Sequence, residues 1–90
     1  MAQFVTQRPT VTLYGKPGCH LCDDAEKLLA TVARTHPLTV QKVDITSAAD
    51  LFEEYRYRIP VMVVEGGTVL DWPTTSERIR RAIQATATTP

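Results

Sequence analysis

Hydrophobic positions along the chain change their spacing several times, and each change marks the edge of a predicted element. Short runs rich in β-branched and aromatic residues indicate strands, whereas apolar residues three or four apart indicate amphipathic helices. The pattern predicts strands at about 10–14, 38–44, 61–64 and 68–72. It predicts helices from the cysteines to about 36, from about 47 to 55, and from about 75 to 84. The element order is therefore βαβαββα.

The order of these elements restricts the topology of the sheet. A strand–helix–strand crossover makes the first two strands parallel. The Gly66-Gly67 pair between two apolar runs predicts a hairpin, which makes the last two strands antiparallel. We therefore expect an α/β fold with a mixed four-stranded sheet flanked by helices. Residues 1–90 should form a single domain whose folded core spans about 10–84, with both ends loosely held.

Local signals predict how the helices begin and end. Pro37 disfavours helical geometry in the residue before it, so the first helix should end near His36. Ser47 followed by Asp50 resembles a capping box for the second helix, and the stretch Thr74–Glu77 fits the same pattern for the last one. The first helix should bury one face, formed by Leu21, Ala25, Leu28, Leu29 and Val32.

Charge and length exclude several classes of protein. Ten Lys and Arg balance ten Asp and Glu, which argues against an electrostatic binder of nucleic acid. No stretch approaches the roughly 20 apolar residues of a membrane span, and the N-terminus lacks the apolar run of a signal peptide. We therefore expect a monomer in the cytoplasm that binds neither nucleic acid nor membranes.

The two cysteines, Cys19 and Cys22, lie where the first strand turns into the first helix. Their spacing places them on one face of that helix, within reach of a disulfide. Free N–H groups and the dipole at a helix start stabilise a thiolate, and Lys16 and His20 add positive charge nearby. We expect Cys19, nearest the helix start, to be the nucleophile of a thiol–disulfide exchange centre and Cys22 to be its resolving thiol.

Other interpretations of the cysteine pair stand beside this one. A purely stabilising disulfide would close so short a loop that its entropic gain is only about 2 kcal/mol. A structural zinc site needs four ligands, and only two histidines, His20 and His36, accompany the cysteines. The alternative function is a module that binds a metal or an iron–sulfur cluster, or that docks a partner, without oxidoreductase turnover.

The stretch Tyr14-Gly15-Lys16-Pro17-Gly18-Cys19-His20-Leu21-Cys22, followed by Ile59-Pro60, resembles a known family. It is similar to glutaredoxin-like proteins of the thioredoxin-fold superfamily, a short family with a C-H-L-C centre. The resemblance implies a thioredoxin-like fold, a cis Ile59–Pro60 peptide bond, and reduction of disulfides. It also implies that Lys16 holds a glutathione carboxylate and that the Ile59 backbone, free beside Pro60, pairs with an incoming peptide or glutathione.

The chain departs from this pattern after the last strand. Glutaredoxins have two glycines and acidic residues there, which hold the glutamyl end of glutathione, whereas this chain has Trp72-Pro73-Thr74-Thr75. The hydroxyls of Thr74 and Thr75 and the N–H groups of the last helix are the remaining candidates for holding a carboxylate. The resemblance implies no cofactor. It implies a disulfide-containing protein or a glutathione mixed disulfide as substrate, and glutathione as a candidate reductant.

Overall fold

The structure is a computed structural model that describes residues 8–87. Its helices and strands follow the predicted order βαβαββα, and their strand boundaries differ from the predicted ones by about one residue. The elements are β1 (Thr10–Gly15), α1 (His20–Ala33), β2 (Thr39–Asp44), α2 (Ala49–Tyr55), β3 (Val61–Val64), β4 (Val69–Asp71) and α3 (Ser76–Ala87), with a short 3-10 helix at Ile45–Ser47. Across residues 8–87, none of these helices has the length and hydropathy needed to span a membrane.

The four strands form one mixed sheet in the order β2-β1-β3-β4. β1 runs parallel to β2 and antiparallel to β3, and β4 is antiparallel to β3. Tyr14 near the end of β1 pairs with Val61, and Val61 pairs with Asp71 at the end of β4. The carboxyl ends of β1 and β4 therefore meet at the same end of the sheet, on either side of the start of β3.

One face of the sheet carries the hydrophobic core. β1 and β3 direct alternate residues onto this face, as strand geometry requires, where α1 and α3 cover them. The core consists of Val11, Leu13, Ala25, Leu29, Val32, Leu38, Met62, Val64, Ile79, Ala82 and Ile83. On the opposite face, Tyr55 of α2 stacks on Tyr14 of β1, with 4.4 Å between their ring centroids.

The buried stripe of α1 differs from the predicted one in its first turn. Leu21, which we expected to be buried, is 51% exposed. The residues that α1 buries are Cys22, Ala25, Leu29 and Val32. This set follows helical periodicity without interruption, and Leu21 lies about 100° around the helix from Cys22. Cys22 takes the core-facing position, and Leu21 is left on the rim of the cysteine pair.

The predicted end of α1 is also too late. The helix ends at Ala33 rather than near His36. The backbone N–H of Arg34 donates to the carbonyl of Thr31 (3.2 Å), and that of Thr35 donates to the carbonyl of Val32 (3.1 Å). The His36 amide also donates to the Val32 carbonyl (2.9 Å). The two shorter-range bonds tighten the final turn before Pro37, and the regular helix stops earlier than the proline alone predicts.

The cap predicted for α2 at Ser47 is wrong. The Ser47 hydroxyl instead donates to the carbonyl of Asp44 (2.6 Å). The Asp44 carboxylate in turn accepts hydrogen bonds from the Thr46 amide (2.8 Å) and the Thr46 hydroxyl (2.6 Å). These contacts form a 3-10 turn ahead of α2, and the N-cap position passes to Ala48, whose side chain makes no capping bond. The sequence pattern located the turn but not the residue that stabilises it.

The hairpin between β3 and β4 is tied to the last helix. The Val64 amide donates to the carbonyl of Thr68 (2.8 Å), and Gly66 and Gly67 adopt the positive φ angles (99° and 107°) that favour glycine. The Thr86 hydroxyl donates to the carbonyl of Glu65 (2.8 Å). α3 therefore continues past the predicted limit near residue 84. The expected loose ends otherwise fall on residues 1–7 and 88–90, outside the described part of the chain.

Candidate functional site

Cys19 and Cys22 form a disulfide at the beginning of α1, with 5.2 Å between their Cα atoms. Cys19 is the N-cap of the helix and has an extended backbone (φ −97°, ψ 108°). Its Sγ accepts a hydrogen bond from the Cys22 amide at 3.1 Å. The sulfur therefore occupies the position that a serine or aspartate oxygen usually takes at a helix start. An N–H group and the helix dipole both favour negative charge at that atom.

The two sulfurs differ in their access to solvent. Cys19 is half-buried, whereas Cys22 is 7% exposed. Gly15, at the end of β1, lies directly against the inner cysteine: a Cβ placed on Gly15 would be 2.9 Å from the Cys22 Sγ. The absence of a side chain at Gly15 is what allows Cys22 to pack against the sheet. Cys19 is therefore the more exposed of the two cysteines, and most of the Cys22 side chain is covered.

A groove of about 370 Å³ reaches Cys22 from the β2 side of the sheet. Lys16 is exposed and lines this groove together with Cys22. Glu26 of α1 and Lys42 of β2 also line it and form an ion pair at 3.2 Å. Asp44 lies at the same edge, and hydrogen bonds from the Thr46 hydroxyl and then the Thr46 amide lower its pKa.

Ile59 and Pro60 directly precede β3. The peptide bond between them is cis, and Pro60 is buried. Because Val61 pairs with Tyr14, Pro60 lies next to the end of β1 from which the cysteine loop departs. The Ile59 N–H, expected to be free for a bound peptide, donates to the carbonyl of Tyr55 (3.2 Å). Among residues 8–87, no backbone N–H outside the regular helices and strands donates to the Ile59 carbonyl.

Thr74 and Thr75 lie between β4 and α3, at the same end of the sheet as the cysteines. The Thr75 Oγ1 accepts a hydrogen bond from the Arg78 amide (3.2 Å), so Thr75 rather than Thr74 caps α3. The Oγ1 of Thr74 is buried and has no hydrogen-bond partner within the described chain. Trp72 packs against the core, and the Trp72–Pro73 peptide bond is cis. The Thr75 hydroxyl is therefore used in capping α3, whereas the Thr74 hydroxyl makes no hydrogen bond within the described chain.

Sequence reasoning did not single out Arg58, the residue two positions before Pro60. Its guanidinium pairs with Glu54 of α2 and with Asp71 of β4, both at 3.4 Å. The Glu54 pairing follows from the i,i+4 spacing and was visible in the sequence. The Asp71 pairing joins the connection before β3 to the end of β4. It depends on the register of β3 and β4, which the sequence pattern does not give.

No group of three or more His, Cys, Asp or Glu side chains within residues 8–87 is arranged to hold a metal ion. His36 lies at the far end of α1 from the cysteines, where its Nδ1 is 2.8 Å from the Thr35 hydroxyl. The two histidines therefore do not complete a ligand set around the cysteine pair.

The fold and the cysteine pair together define a thioredoxin-like α/β domain with a CxxC centre. The profile of the family described as Glutaredoxin-like domain (DUF836) matches residues 10–84. The chain therefore belongs to this glutaredoxin-like family. No curated protein matches the sequence.

Solved structures share the fold of this chain. The chain is similar to the X-ray structure of target protein XcR50 from X. campestris, with 38% identity, 89% of this chain and 99% of that chain covered, and a TM-score of 0.71. It is similar to protein Ne2328 from Nitrosomonas europaea, with 21% identity, coverage of 89% and 96%, and a TM-score of 0.74. It shares its fold with the first thioredoxin domain of mouse protein disulfide-isomerase A4, with 23% identity, coverage of 93% and 69%, and a TM-score of 0.57.

Proposed function

We propose that this protein is a dithiol thiol–disulfide oxidoreductase in which Cys19 is the nucleophile and Cys22 is the resolving thiol. One observation carries the proposal: Cys19, the more exposed of the two cysteines, is the N-cap of α1, the Cys22 amide donates to its sulfur, and Cys22 itself is buried. A thiolate at that position gains a hydrogen bond and a favourable dipole. We therefore expect the pKa of Cys19 in the reduced protein to lie below that of a free cysteine.

The proposed cycle conserves electrons and protons. The Cys19 thiolate attacks one sulfur of a substrate disulfide, which forms a mixed disulfide and releases the first substrate thiolate. Cys22 then loses its proton and attacks the Cys19 sulfur, releasing the second substrate thiolate and closing the Cys19–Cys22 disulfide. The two electrons pass from the cysteine pair to the substrate, and both released thiolates take protons from solvent. A thiol reductant returns the pair to its reduced form.

We propose a disulfide-containing protein or a glutathione mixed disulfide as the substrate. Leu21, half exposed beside Cys19, supplies an apolar contact for a protein partner. Lys16 supplies a cation and the Ile59 carbonyl beside Pro60 a hydrogen-bond acceptor. The Thr74 hydroxyl, which the resemblance made a candidate for holding a carboxylate, is buried, so we do not propose it as a direct substrate contact. The Thr75 hydroxyl is used in capping α3, so we propose that Thr75 helps to bind substrate only through its position at the start of that helix.

The cycle uses no cofactor, because both electrons reside in the cysteine pair. Glutathione or a dedicated reductase is the proposed source of new electrons. We further propose that the protein works as a monomer in the cytoplasm, where such reductants keep thiols reduced.

A pair of substitutions tests the assignment of roles. Cys19→Ser should abolish reduction of a small disulfide such as bis(2-hydroxyethyl) disulfide. Cys22→Ser should retain the first attack and accumulate a mixed disulfide, which mass spectrometry of a cell extract exposed to this variant would identify. Wild-type protein, whose Cys22 releases the substrate, is the matched control. If Cys22→Ser lost the first attack while Cys19→Ser kept it, the roles would be reversed. If neither substitution changed activity, the proposal would fail.

A further inference from the structure

Arg58 makes contacts that join segments far apart in the sequence. Its Nη1 lies 3.4 Å from the Oε2 of Glu54, and its Nη2 lies 3.4 Å from the Oδ1 of Asp71. Its Cζ stands 5.4 Å from the centroid of the Tyr55 ring. One planar guanidinium thus touches α2 twice and β4 once. A lysine ammonium, with a single nitrogen, has no second arm with which to reproduce this geometry.

Asp71, the partner of Arg58 on β4, lies at the end of its strand. Asp71 is the last residue of β4 and pairs with Val61 across the ladder, so it stands where the β3–β4 ladder ends. Arg58 lies just beyond the same end of the ladder, in the connection that carries Pro60. Past Asp71 the chain turns through Trp72 and Pro73 toward α3. The Arg58–Asp71 ion pair therefore links the connection before β3 to the connection after β4 at the point where backbone pairing stops.

A second set of contacts leads from Arg58 to the cysteine loop. The Tyr55 ring beneath the guanidinium stacks on Tyr14 at an interplanar angle of 16°. Burial, and next the proximity of Tyr14, raises the pKa of Tyr55, so the phenol stays neutral at physiological pH. Tyr14 directly precedes Gly15, which packs against Cys22. The guanidinium is thus joined by ion pairs and ring contacts to both candidate substrate connections and to the base of the cysteine pair.

We propose that Arg58 is a positioning residue that fixes the separation between the Ile59–Pro60 connection and the connection at residues 72–75. This inference rests on the proposed function, because both connections are substrate contacts only if Cys19 attacks a substrate there. Arg58 itself touches neither the substrate nor the reacting sulfurs. Its loss should weaken substrate binding while leaving the chemistry at Cys19 unchanged.

The first test separates binding from chemistry. Arg58→Met keeps the apolar stem and removes the charge, and Arg58→Lys keeps the charge and removes the planar fork. KM for a protein or glutathionylated peptide disulfide should rise by about two- to fivefold in Arg58→Met, the range that exposed ion pairs support, with kcat within twofold of wild type. Alkylation of the reduced Cys19 by iodoacetamide should proceed at the wild-type rate. The KM of Arg58→Lys should lie between those of the wild type and Arg58→Met.

The second test asks whether Asp71 is the partner through which Arg58 acts. Asp71→Asn should raise KM by no more than Arg58→Met does, and the double variant should raise it no further than Arg58→Met, because the Arg58–Asp71 contact is already lost there. Arg81→Met is the matched control: it breaks an arginine–glutamate pair at 3.2 Å on α3, between Arg81 and Glu77. That substitution should leave KM unchanged. Fully additive effects of the Arg58 and Asp71 substitutions would overturn the proposal.

A readout independent of activity separates this inference from the proposed function. Amide hydrogen exchange in the oxidised protein should quicken at Ile59, whose N–H donates to Tyr55, and at Arg78, whose N–H donates to Thr75, in Arg58→Met but not in Arg81→Met. An inactive wild-type protein would overturn the proposed function, while faster exchange at both amides would still support the positioning role of Arg58. An active wild type whose Arg58→Met variant kept both the wild-type KM and the wild-type exchange at Arg78 would overturn the inference alone.

Discussion

Replacing Gly15 by alanine perturbs the contact on which the buried cysteine depends. The new Cβ would lie 2.9 Å from the Sγ of Cys22 and 3.2 Å from its Cβ. Both distances are shorter than ordinary van der Waals contact, and the Cys22 side chain is held by its disulfide and by the core. Gly15 is not among the glycines with positive φ, so alanine fits the backbone. The substitution therefore tests the side-chain contact alone.

The expected magnitude follows from two opposing effects. Overpacking a tight core costs about 1–3 kcal/mol, and alanine offsets about 0.4–1 kcal/mol of that cost by restricting the unfolded chain. The net loss in the oxidised protein should be about 1–2 kcal/mol, which lowers the Tm by roughly 4–16 °C in a domain of this size. In the reduced protein, Cys22 can rotate away and the loss should be smaller. Each 1.4 kcal/mol of difference between the two forms makes the disulfide easier to reduce by about 30 mV.

Urea unfolding of the oxidised and reduced forms measures this difference, and equilibration with a glutathione buffer measures the potential. The matched control is a double-mutant cycle with Cys22→Ala, measured on reduced protein so that all variants lack the disulfide. Any cost of Gly15→Ala that remains in the reduced protein should be relieved when Sγ is removed. The reasoning is refuted if Gly15→Ala leaves the oxidised protein as stable as wild type, or if it destabilises the oxidised and reduced proteins equally.

Three further expectations concern stability. Thr75→Ala, which removes the hydroxyl that accepts from the Arg78 amide, should cost about 1 kcal/mol in urea unfolding, and Thr75→Ser should restore most of it. Tyr55→Leu should lower the free energy of unfolding by about 0.5–1.5 kcal/mol through loss of its stack on Tyr14, whereas Tyr55→Phe should be close to neutral. Because the pKa of Asp44 in the folded protein is lower than its ordinary value of 3.8, this carboxylate stabilises the fold at pH values above 3.8. The stabilisation is lost as the pH falls through the lowered pKa of the folded state. Asp44→Asn should therefore reduce the loss of stability at acid pH in a pH–stability profile.

The sequence predicted the elements of this fold because each carries a local signal. The spacing of Ala25, Leu29 and Val32 defined α1, and the apolar run Val61–Val64 defined β3. The position of the cysteine pair was predicted correctly for the same reason: turn residues lie directly before Cys19 and mark where the strand ends and the helix begins. Elements whose stabilisation is local are visible in the order of residues.

The errors fall where two local signals compete. Leu21 and Cys22 are neighbours of similar burial preference, and only the packing of α1 on the sheet decides which of them faces the core. Ser47 and Asp44 are both good capping residues, and the 3-10 turn satisfied by Asp44 displaced the cap expected at Ser47. Local patterns rank such candidates poorly because each choice depends on the position of the next element.

The surroundings of the cysteine pair were harder to predict than the pair itself. Arg58 meets Asp71 only because β3 and β4 pair in one register. The Ile59 N–H turns back to Tyr55, which the family resemblance did not indicate. Contacts across the sheet depend on register, and a single sequence shows hydrophobic alternation without showing which residue faces which.

The hydrogen bond between Thr86 and Glu65 holds the end of α3 against the β3–β4 hairpin, which matters for how the protein can be labelled or attached to a surface. Thr10, where β1 begins, donates its amide to the Glu65 carboxylate (2.8 Å), so the first strand and the last helix converge on the hairpin. The disulfide lies at the opposite pole, beyond the other end of β1. Polypeptide attached ahead of β1 or behind α3, such as an affinity tag or a fluorescent reporter, would emerge far from the reactive sulfur. Immobilising the protein through either end should present that sulfur outward to its partners.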